Sequence, residues 1–142
     1  MKLAIMLLIL GTSFGAMAAK VEVYCLSSQC PSIVNDGKRL RGIELVVHEL
    51  DATDTISEHW SEQLKRHAPK NEEEGEAFIS ALMNSQRGRE DMAKMKASLL
   101  ALEDVVLKGI AKIPAYLCDD RHVVYGGTLN EAVTSCRSVW RQ

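Results

Sequence analysis

The cysteines are the residues of this sequence with the clearest potential for chemistry. There are four of them, Cys25, Cys30, Cys118 and Cys136, and four cysteines allow three pairings among which sequence alone does not choose. A dithiol redox site needs two cysteines separated by two residues, so that one thiolate attacks and the other resolves the mixed disulfide. Four residues separate Cys25 from Cys30, and Ile33 stands where the CxxC partner of Cys30 would be. The spacing therefore argues against dithiol catalysis.

The other side chains with catalytic or metal-binding potential form no recognisable constellation. The four histidines are scattered along the chain, at His48, His59, His67 and His122. Ser27-Ser28 lacks the GxSxG frame of a nucleophile elbow, and Asp119-Asp120 is typical of a tight turn. Neither a P-loop nor a dinucleotide fingerprint occurs in the sequence. We therefore predict no metal and no cofactor.

The composition of the chain excludes several classes of protein. The chain has 142 residues, of which 46% are hydrophobic and 25% charged, and its formal net charge is -2. This length and balance fit one globular domain and exclude a disordered or collagen-like chain. A slightly acidic chain without a basic face gives no general attraction to nucleic acid. We expect no direct nucleic-acid partner.

The first nineteen residues have the layout of a secretory signal peptide. A positive start precedes the apolar run LAIMLLIL at residues 3–10, and small residues ending at Ala18 offer a cleavage site. The alternative is a membrane anchor, but the run is far shorter than the ~20 residues of a spanning helix. No later segment is apolar enough to span. We predict cleavage after Ala18 or Ala19, a mature domain over residues 20–142 and a periplasmic location, where disulfides form.

The first part of the mature chain is typical of a β-α-β unit. Alternating and β-branched residues predict the two strands, Pro31 suits the first turn of a short helix, and Asp36-Gly37 predicts a turn. The predicted elements are a strand at Val21–Tyr24, a helix at Ser32–Asn35 and a strand at Ile43–Leu50. In the second strand, alternation places the apolar face on Ile43, Leu45 and Val47.

A helical segment over about residues 54–108 follows. Ile56, Trp60 and Leu64 recur on one helix face, and Pro69 ends that helix. Four glutamates between residues 72 and 76 begin the next helix, where the macrodipole favours anions. An acidic binding patch is the alternative interpretation of these glutamates.

A long apolar stripe marks the last helix of this segment. Its members recur at 3-4-3-4 spacing: Met92, Met95, Leu99, Leu102 and Val106. We interpret the stripe as a core face, and a surface for a partner helix is the alternative.

The C-terminal part predicts a hairpin and a final helix. Its strands are Ala115–Cys118 and His122–Tyr125, preceded by Pro114. Thr128 and Glu131 have the spacing of a capping box at the start of the helix. The apolar face of that helix consists of Leu129, Ala132, Val133, Cys136 and Trp140.

The complete order of elements resembles the thioredoxin-like fold. This α/β order is β-α-β, a helical insertion, a β-β hairpin and a C-terminal α, around a central four-stranded mixed sheet. In that fold the helix after the first strand carries the reactive cysteine, and a cis-proline before the third strand faces it. The resemblance places Cys30 and Pro114 at these positions as candidate catalytic residues. We therefore expect the Ile113-Pro114 bond to be cis, a form accessible mainly at X-Pro.

A narrower resemblance covers most of the mature chain. The matching segments are Val21–Tyr24, Leu50-Asp51, the stretch GIAKIPA at residues 109–115, and VVYG at residues 123–126. The chain is similar to a family of periplasmic, thioredoxin-like proteins encoded in bacterial integrating conjugative elements. Members of that family resemble components of mating-pair formation and type IV secretion. The resemblance does not imply a molecular activity.

Three interpretations of Cys30 stay open. It pairs with Cys25 in a structural or slowly exchanging disulfide, or acts as a monothiol nucleophile near Pro114, or pairs elsewhere or stays free. Cys118 lies in the third strand and Cys136 on the helix face that covers the sheet. A bridge between them needs Cα atoms within ~7 Å and would stabilise the fold by roughly 3 kcal/mol.

Two functions follow as expectations. The first is a non-catalytic, periplasmic accessory component of the conjugative transfer apparatus, whose partners are other proteins of that apparatus. The second is a thiol-disulfide oxidoreductase or isomerase that uses Cys30 facing Pro114. A periplasmic binding or inhibitory module unrelated to conjugation is a third option, and the oligomeric state stays open.

Overall fold

Nine helices and strands follow one another in the described part of the chain. The structure, a computed structural model, describes residues 19–141, so the predicted signal peptide lies outside it apart from Ala19. The strands are β1 (Ala19–Cys25), β2 (Ile43–Glu49), β3 (Ala115–Cys118) and β4 (His122–Tyr125). The helices are α1 (Cys30–Gly37), α2 (Ala52–His67), α3 (Glu72–Asn84), α4 (Gln86–Leu107) and α5 (Leu129–Trp140). None of the helices between residues 19 and 141 is long and apolar enough to cross a membrane.

The four strands form one mixed sheet in the order β2-β1-β3-β4. β1 pairs in parallel with β2, so that Val23 lies opposite Val47, and antiparallel with β3, so that Val23 also lies opposite Tyr116. β3 and β4 form the antiparallel hairpin. This confirms the predicted α/β arrangement with a central four-stranded mixed sheet.

The hairpin has the bounds that the sequence predicts. Asp119 and Asp120 adopt φ values of 46° and 56°, a left-handed conformation that aspartate tolerates better than most residues. The Asp119 side chain also accepts a hydrogen bond of 2.9 Å from the Lys20 backbone N–H, which ties the turn to β1. The Ile113-Pro114 bond before β3 is cis, as predicted.

Helices α1 and α5 cover one face of the sheet. Their buried side chains, among them Ile33 and Val133, pack on Val21, Val23 and Tyr116. The prediction of a turn at Asp36-Gly37 was wrong, because α1 continues through both residues. Glycine at position 37 allows α1 to approach β2 closely, since a Cβ there would overlap the side chain of Leu45.

The opposite face of the sheet is covered by α4. Small residues of α4 make the contact: Ser98 and Ala101 are 1% and 4% exposed, and the Ser98 hydroxyl donates to the Leu50 carbonyl at 2.8 Å. Ala101 packs in a second core cluster with Tyr24 and Leu117. Close approach of a helix to a sheet is easier with such small side chains.

Helices α2 and α3 pack on α4 rather than on the sheet. The Trp60 indole N–H of α2 donates to Asp91 of α4 at 3.0 Å. Gly88 allows α3 to lie against α4, because a Cβ at this position would overlap the Leu82 carbonyl. Trp60, with Ile56 and Leu64, lies half-buried on one face of α2, as the periodicity predicts.

The prediction that the apolar stripe of α4 is a core face was wrong. Met92, Leu99, Leu102 and Val106 are 44%, 56%, 41% and 78% exposed, and Met95 alone is half-buried. The side of α4 that faces the sheet carries Ser98 and Ala101. The apolar stripe lies on a different side of the helix, away from the core.

The starts of α5 and α3 carry side-chain caps, and the cap of α5 is the predicted one. The Thr128 hydroxyl accepts from the Glu131 N–H at 3.3 Å, and the Glu131 carboxylate accepts from the Thr128 N–H at 2.7 Å, which completes the capping box. At α3 the Asn71 side chain accepts from the Glu74 N–H at 2.8 Å. The glutamates of residues 72–74 therefore lie in the first turn of α3, where the helix-start interpretation places them.

Candidate functional site

A disulfide between Cys25 and Cys30 joins the end of β1 to the start of α1. The two Cα atoms are 5.6 Å apart. Cys25 is fully buried and Cys30 is 6% exposed. Of the three interpretations of Cys30, the structure therefore has the first, a disulfide with Cys25.

The loop that carries this disulfide is held by the Leu50-Asp51 pair. The Leu50 N–H donates to the Cys25 carbonyl at 2.9 Å. The Asp51 carboxylate accepts from the Ser27 N–H at 2.6 Å and from the Ser27 hydroxyl at 2.8 Å. Asp51 is therefore the residue that fixes the cysteine loop against the end of β2.

Two backbone N–H groups at the start of α1 already have carbonyl partners. Free N–H groups at a helix start are what lower a cysteine pKa. Here the Cys30 N–H already donates to the Leu26 carbonyl at 2.9 Å and the Ile33 N–H to the Gln29 carbonyl at 3.4 Å. Pro31 has no N–H to give. These bonds leave fewer free N–H groups at the start of α1, and the sulfur of Cys30 is in a disulfide.

Two cavities flank α1, and Cys30 and Pro114 line different ones. The Cys30 cavity, of about 490 Å³, lies on the β2 side, where its walls include Ser27, Val34, Val47 and Glu49. The Pro114 cleft, of about 300 Å³, lies on the β3 side. The structure therefore does not bring Cys30 and Pro114 into one cavity.

The Pro114 cleft has a polar rim and an apolar floor. One wall consists of Ser28, Gln29, Ser32, Ile33 and Asp36, and the other of Pro114, Tyr116 and residues 127–129. Ile33, Tyr116 and Leu129 are buried, whereas Ser28 and Ser32 are exposed. No cysteine is among the described residues that line it. The cleft can bind through hydrogen bonds and apolar contact but carries no thiol.

Tyr116 is held neutral at the base of this cleft. Burial raises the pKa of its hydroxyl, and the negative charges of Asp36 and Glu131 raise it further. The hydroxyl donates to the Gly127 carbonyl at 3.2 Å. Tyr116 therefore fixes the wall that follows β4.

The second disulfide connects Cys118 of β3 to Cys136 of α5. Their Cα atoms are 5.7 Å apart, and both residues are buried. The bridge fastens α5 across the sheet, as predicted for this pair. With the first disulfide it accounts for all four cysteines.

A charged network lies on the opposite sheet face, between β1 and α4. Glu22, although only 6% exposed, accepts hydrogen bonds from Lys20 and from Lys108 Nζ, the latter at 3.2 Å. The Tyr24 hydroxyl donates to Asp104, lies 3.0 Å from Glu22 and accepts from Lys108 at 3.0 Å. Because each buried polar atom has a partner, the network fastens α4 to the sheet.

The hydrogen bonds of the network stabilise the charged forms of Glu22 and Lys108. Burial alone would raise the pKa of Glu22, but hydrogen bonds from Lys20 and Lys108, with the neighbouring Tyr24 hydroxyl, lower it to about 2. The pKa of Lys108 is raised: burial opposes its charge, and the bonds to Asp104, Tyr24 and Glu22 outweigh that effect. His48 stacks on the Tyr24 ring with centroids 4.8 Å apart.

Comparison with known proteins identifies a family. The model of one family, DUF1525, whose description is "protein of unknown function", matches residues 18–142. The chain belongs to the DUF1525 family. No curated protein and no solved structure matches this DUF1525 chain.

Sequence reasoning found part of the site of this DUF1525 protein. It placed Pro114 before β3 and named both cysteine pairs among its candidates. It missed the roles of Asp51 and of the network. An alternation signal was available, because Glu22 and Tyr24 are two residues apart on a central strand and therefore share a sheet face. Their partners Asp104 and Lys108, 80 to 86 residues further along the chain, carried no local signal.

Proposed function

We propose that this DUF1525 chain is a periplasmic accessory component of the conjugative transfer apparatus of an integrating conjugative element. In this proposal it acts through protein-protein contacts on a non-catalytic, thioredoxin-like fold. The basis is the resemblance of its motifs to proteins of such elements. The two disulfides are compatible with a secreted protein.

The observation that carries the non-catalytic part is the chemistry of the Pro114 cleft. The cleft has hydroxyl, amide and carboxylate groups around an apolar floor, which suits the binding of a polypeptide segment. Cys30, which lines the other cavity beside α1, is bonded to Cys25, and both cysteines are buried. Binding without thiol exchange is the function that this arrangement supports best.

The test measures DNA transfer from donor cells. Ser28→Trp places an indole at the exposed rim of the cleft, and Ser57→Trp places one at an exposed position of α2 as the matched control. We expect Ser28→Trp to reduce transfer towards the level of a gene deletion, while Ser57→Trp does not. Both variants must accumulate normally in the periplasm. Unchanged transfer after deletion would refute the conjugative role.

A second candidate function is thiol-disulfide exchange at Cys30. It is favoured by one observation, the residual exposure of Cys30 where Cys25 has none. Replacing both Cys25 and Cys30 with alanine separates the binding function from the redox function. If the double variant accumulates normally and supports transfer, the binding function stands. Loss of transfer at normal protein level would move the redox function to first place.

A further inference from the structure

The outer side of α4 exposes large apolar side chains. Four of the five members of the α4 stripe, Met92, Leu99, Leu102 and Val106, are more than 40% exposed, and Leu100 and Leu107 of the same helix are 57% and 77% exposed. Large aliphatic side chains at this density on one helix mark a contact surface, whereas single exposed ones need no explanation.

The spacing of the stripe is that of a coiled-coil seam. Residues at 3-4-3-4 intervals occupy the a and d positions of a heptad, which pack against a second helix. With Leu99 at a and Leu102 at d, the outer flanking e positions are Lys96 and Glu103. Both are exposed, and neither has an ion-pair partner in residues 19–141.

We propose that the α4 stripe pairs with the same stripe of a second copy of this chain, with the two helices antiparallel. In an antiparallel pair the a and d positions form mixed layers, and e positions face e positions. The register that places Leu99 opposite Leu102 of the second copy also places Met95 opposite its Val106. The same register brings Lys96 opposite Glu103 of the second copy.

This charge pattern is what selects a second copy as the occupant. Lys96 and Glu103 have opposite charges and lie one heptad apart on the same flank, so they complement each other when two copies of α4 pack antiparallel. The two-fold axis of the dimer then generates two Lys96–Glu103 ion pairs. The other flank of the stripe contains Ser98, which is buried against the chain's own sheet. The Lys96 and Glu103 flank is therefore the one that remains open for pairing.

A parallel arrangement has less support. It would pair each e position with a g position, so Lys96 would need Asp91 of the other copy. Asp91 is half-buried and already accepts the hydrogen bond from Trp60. In parallel, Glu103 would face Ser98, which is buried and bonded to the Leu50 carbonyl.

The test is a charge exchange followed by sedimentation velocity of the mature chain at low salt. Over about 1 to 300 μM we expect a reversible monomer-dimer equilibrium for the wild type. Lys96→Glu and Glu103→Lys each turn two attractive pairs into two repulsive ones, which should raise the dimer Kd about 10- to 30-fold. The variant with both exchanges should return to the wild-type Kd. Leu99→Asp, which acts in two layers, should abolish the dimer.

Three outcomes would overturn the proposal. The first is a wild-type chain that stays monomeric over the whole range. The second is a dimer whose Kd is unchanged by both Lys96→Glu and Glu103→Lys. The third is a double variant whose Kd does not return to the wild-type value. Circular dichroism of each variant controls for folding, which these exposed positions should not disturb. The result does not depend on the function of the Pro114 cleft.

Discussion

Glu22→Gln removes the carboxylate on which two lysines converge between β1 and α4. Glutamine has nearly the same shape and can still accept a hydrogen bond from Lys108. The change therefore isolates the charge of Glu22 from its packing. We expect the variant to fold, to be less stable at neutral pH, and to lose part of the acid sensitivity of the wild type.

The magnitude follows from the pKa of Glu22. Its ordinary value is 4.5 and its value in the folded chain is about 2. Between these values the unfolded chain binds a proton that the folded chain does not, so stability rises with pH across this window. The contribution is complete above pH 4.5 and is lost as pH falls through about 2. A shift of this size corresponds to about 3 kcal/mol of unfolding free energy.

The assay is denaturant unfolding of the mature wild type and variant at a series of pH values. The difference in unfolding free energy between them should shrink by about 3 kcal/mol as pH falls from 6 to about 2. Glu44→Gln, at an exposed position of the neighbouring strand, should show no such change. A wild-type-to-variant difference that stays constant with pH would refute the reasoning.

Two further predictions concern packing and covalent links. Replacing both Cys118 and Cys136 with alanine should lower the free energy of unfolding by about 3 kcal/mol, measured by denaturant unfolding. The same replacement of Cys25 and Cys30 should lower it by about 2 kcal/mol, because these residues are 5 rather than 18 positions apart. Equal losses would contradict the loop-length argument. Gly88→Ala should destabilise by about 1 to 3 kcal/mol despite the better helix propensity of alanine, because its Cβ meets a carbonyl of α3. Gly75→Ala, whose Cβ has ordinary contacts, should stabilise by up to about 1 kcal/mol in the same measurement, and a loss there would show that α3 tolerates no added side chain.

The strands and the hairpin could be predicted because their signals are local. Alternation in Ile43–Glu49 places three apolar residues on the α1 side, where they pack. The Asp119-Asp120 turn and the Thr128 capping box depend on residues within four positions of one another. Pro114 was identified through the resemblance to the thioredoxin-like fold, from its place directly before the third strand.

The packing of α4 could not be predicted because hydrophobicity alone was a misleading guide. The helix contacts the sheet through Ser98 and Ala101, and it exposes its larger aliphatic side chains. Periodicity identifies an apolar face but does not say which partner covers it. The network around Glu22 was missed for another reason, since Asp104 and Lys108 are 80 or more residues away from Tyr24 and Glu22.

The two faces of the sheet are attached to their helices by different chemistry. Both disulfides fasten α1 and α5 to the inner strands, while α4 on the other face is held by ionisable groups and small-residue packing. A reductant should therefore loosen one layer and acid the other. Amide hydrogen exchange would show the two treatments as separate openings, one across α1 and α5 and the other across α4. Each treatment would therefore leave the other helical layer of the core closed.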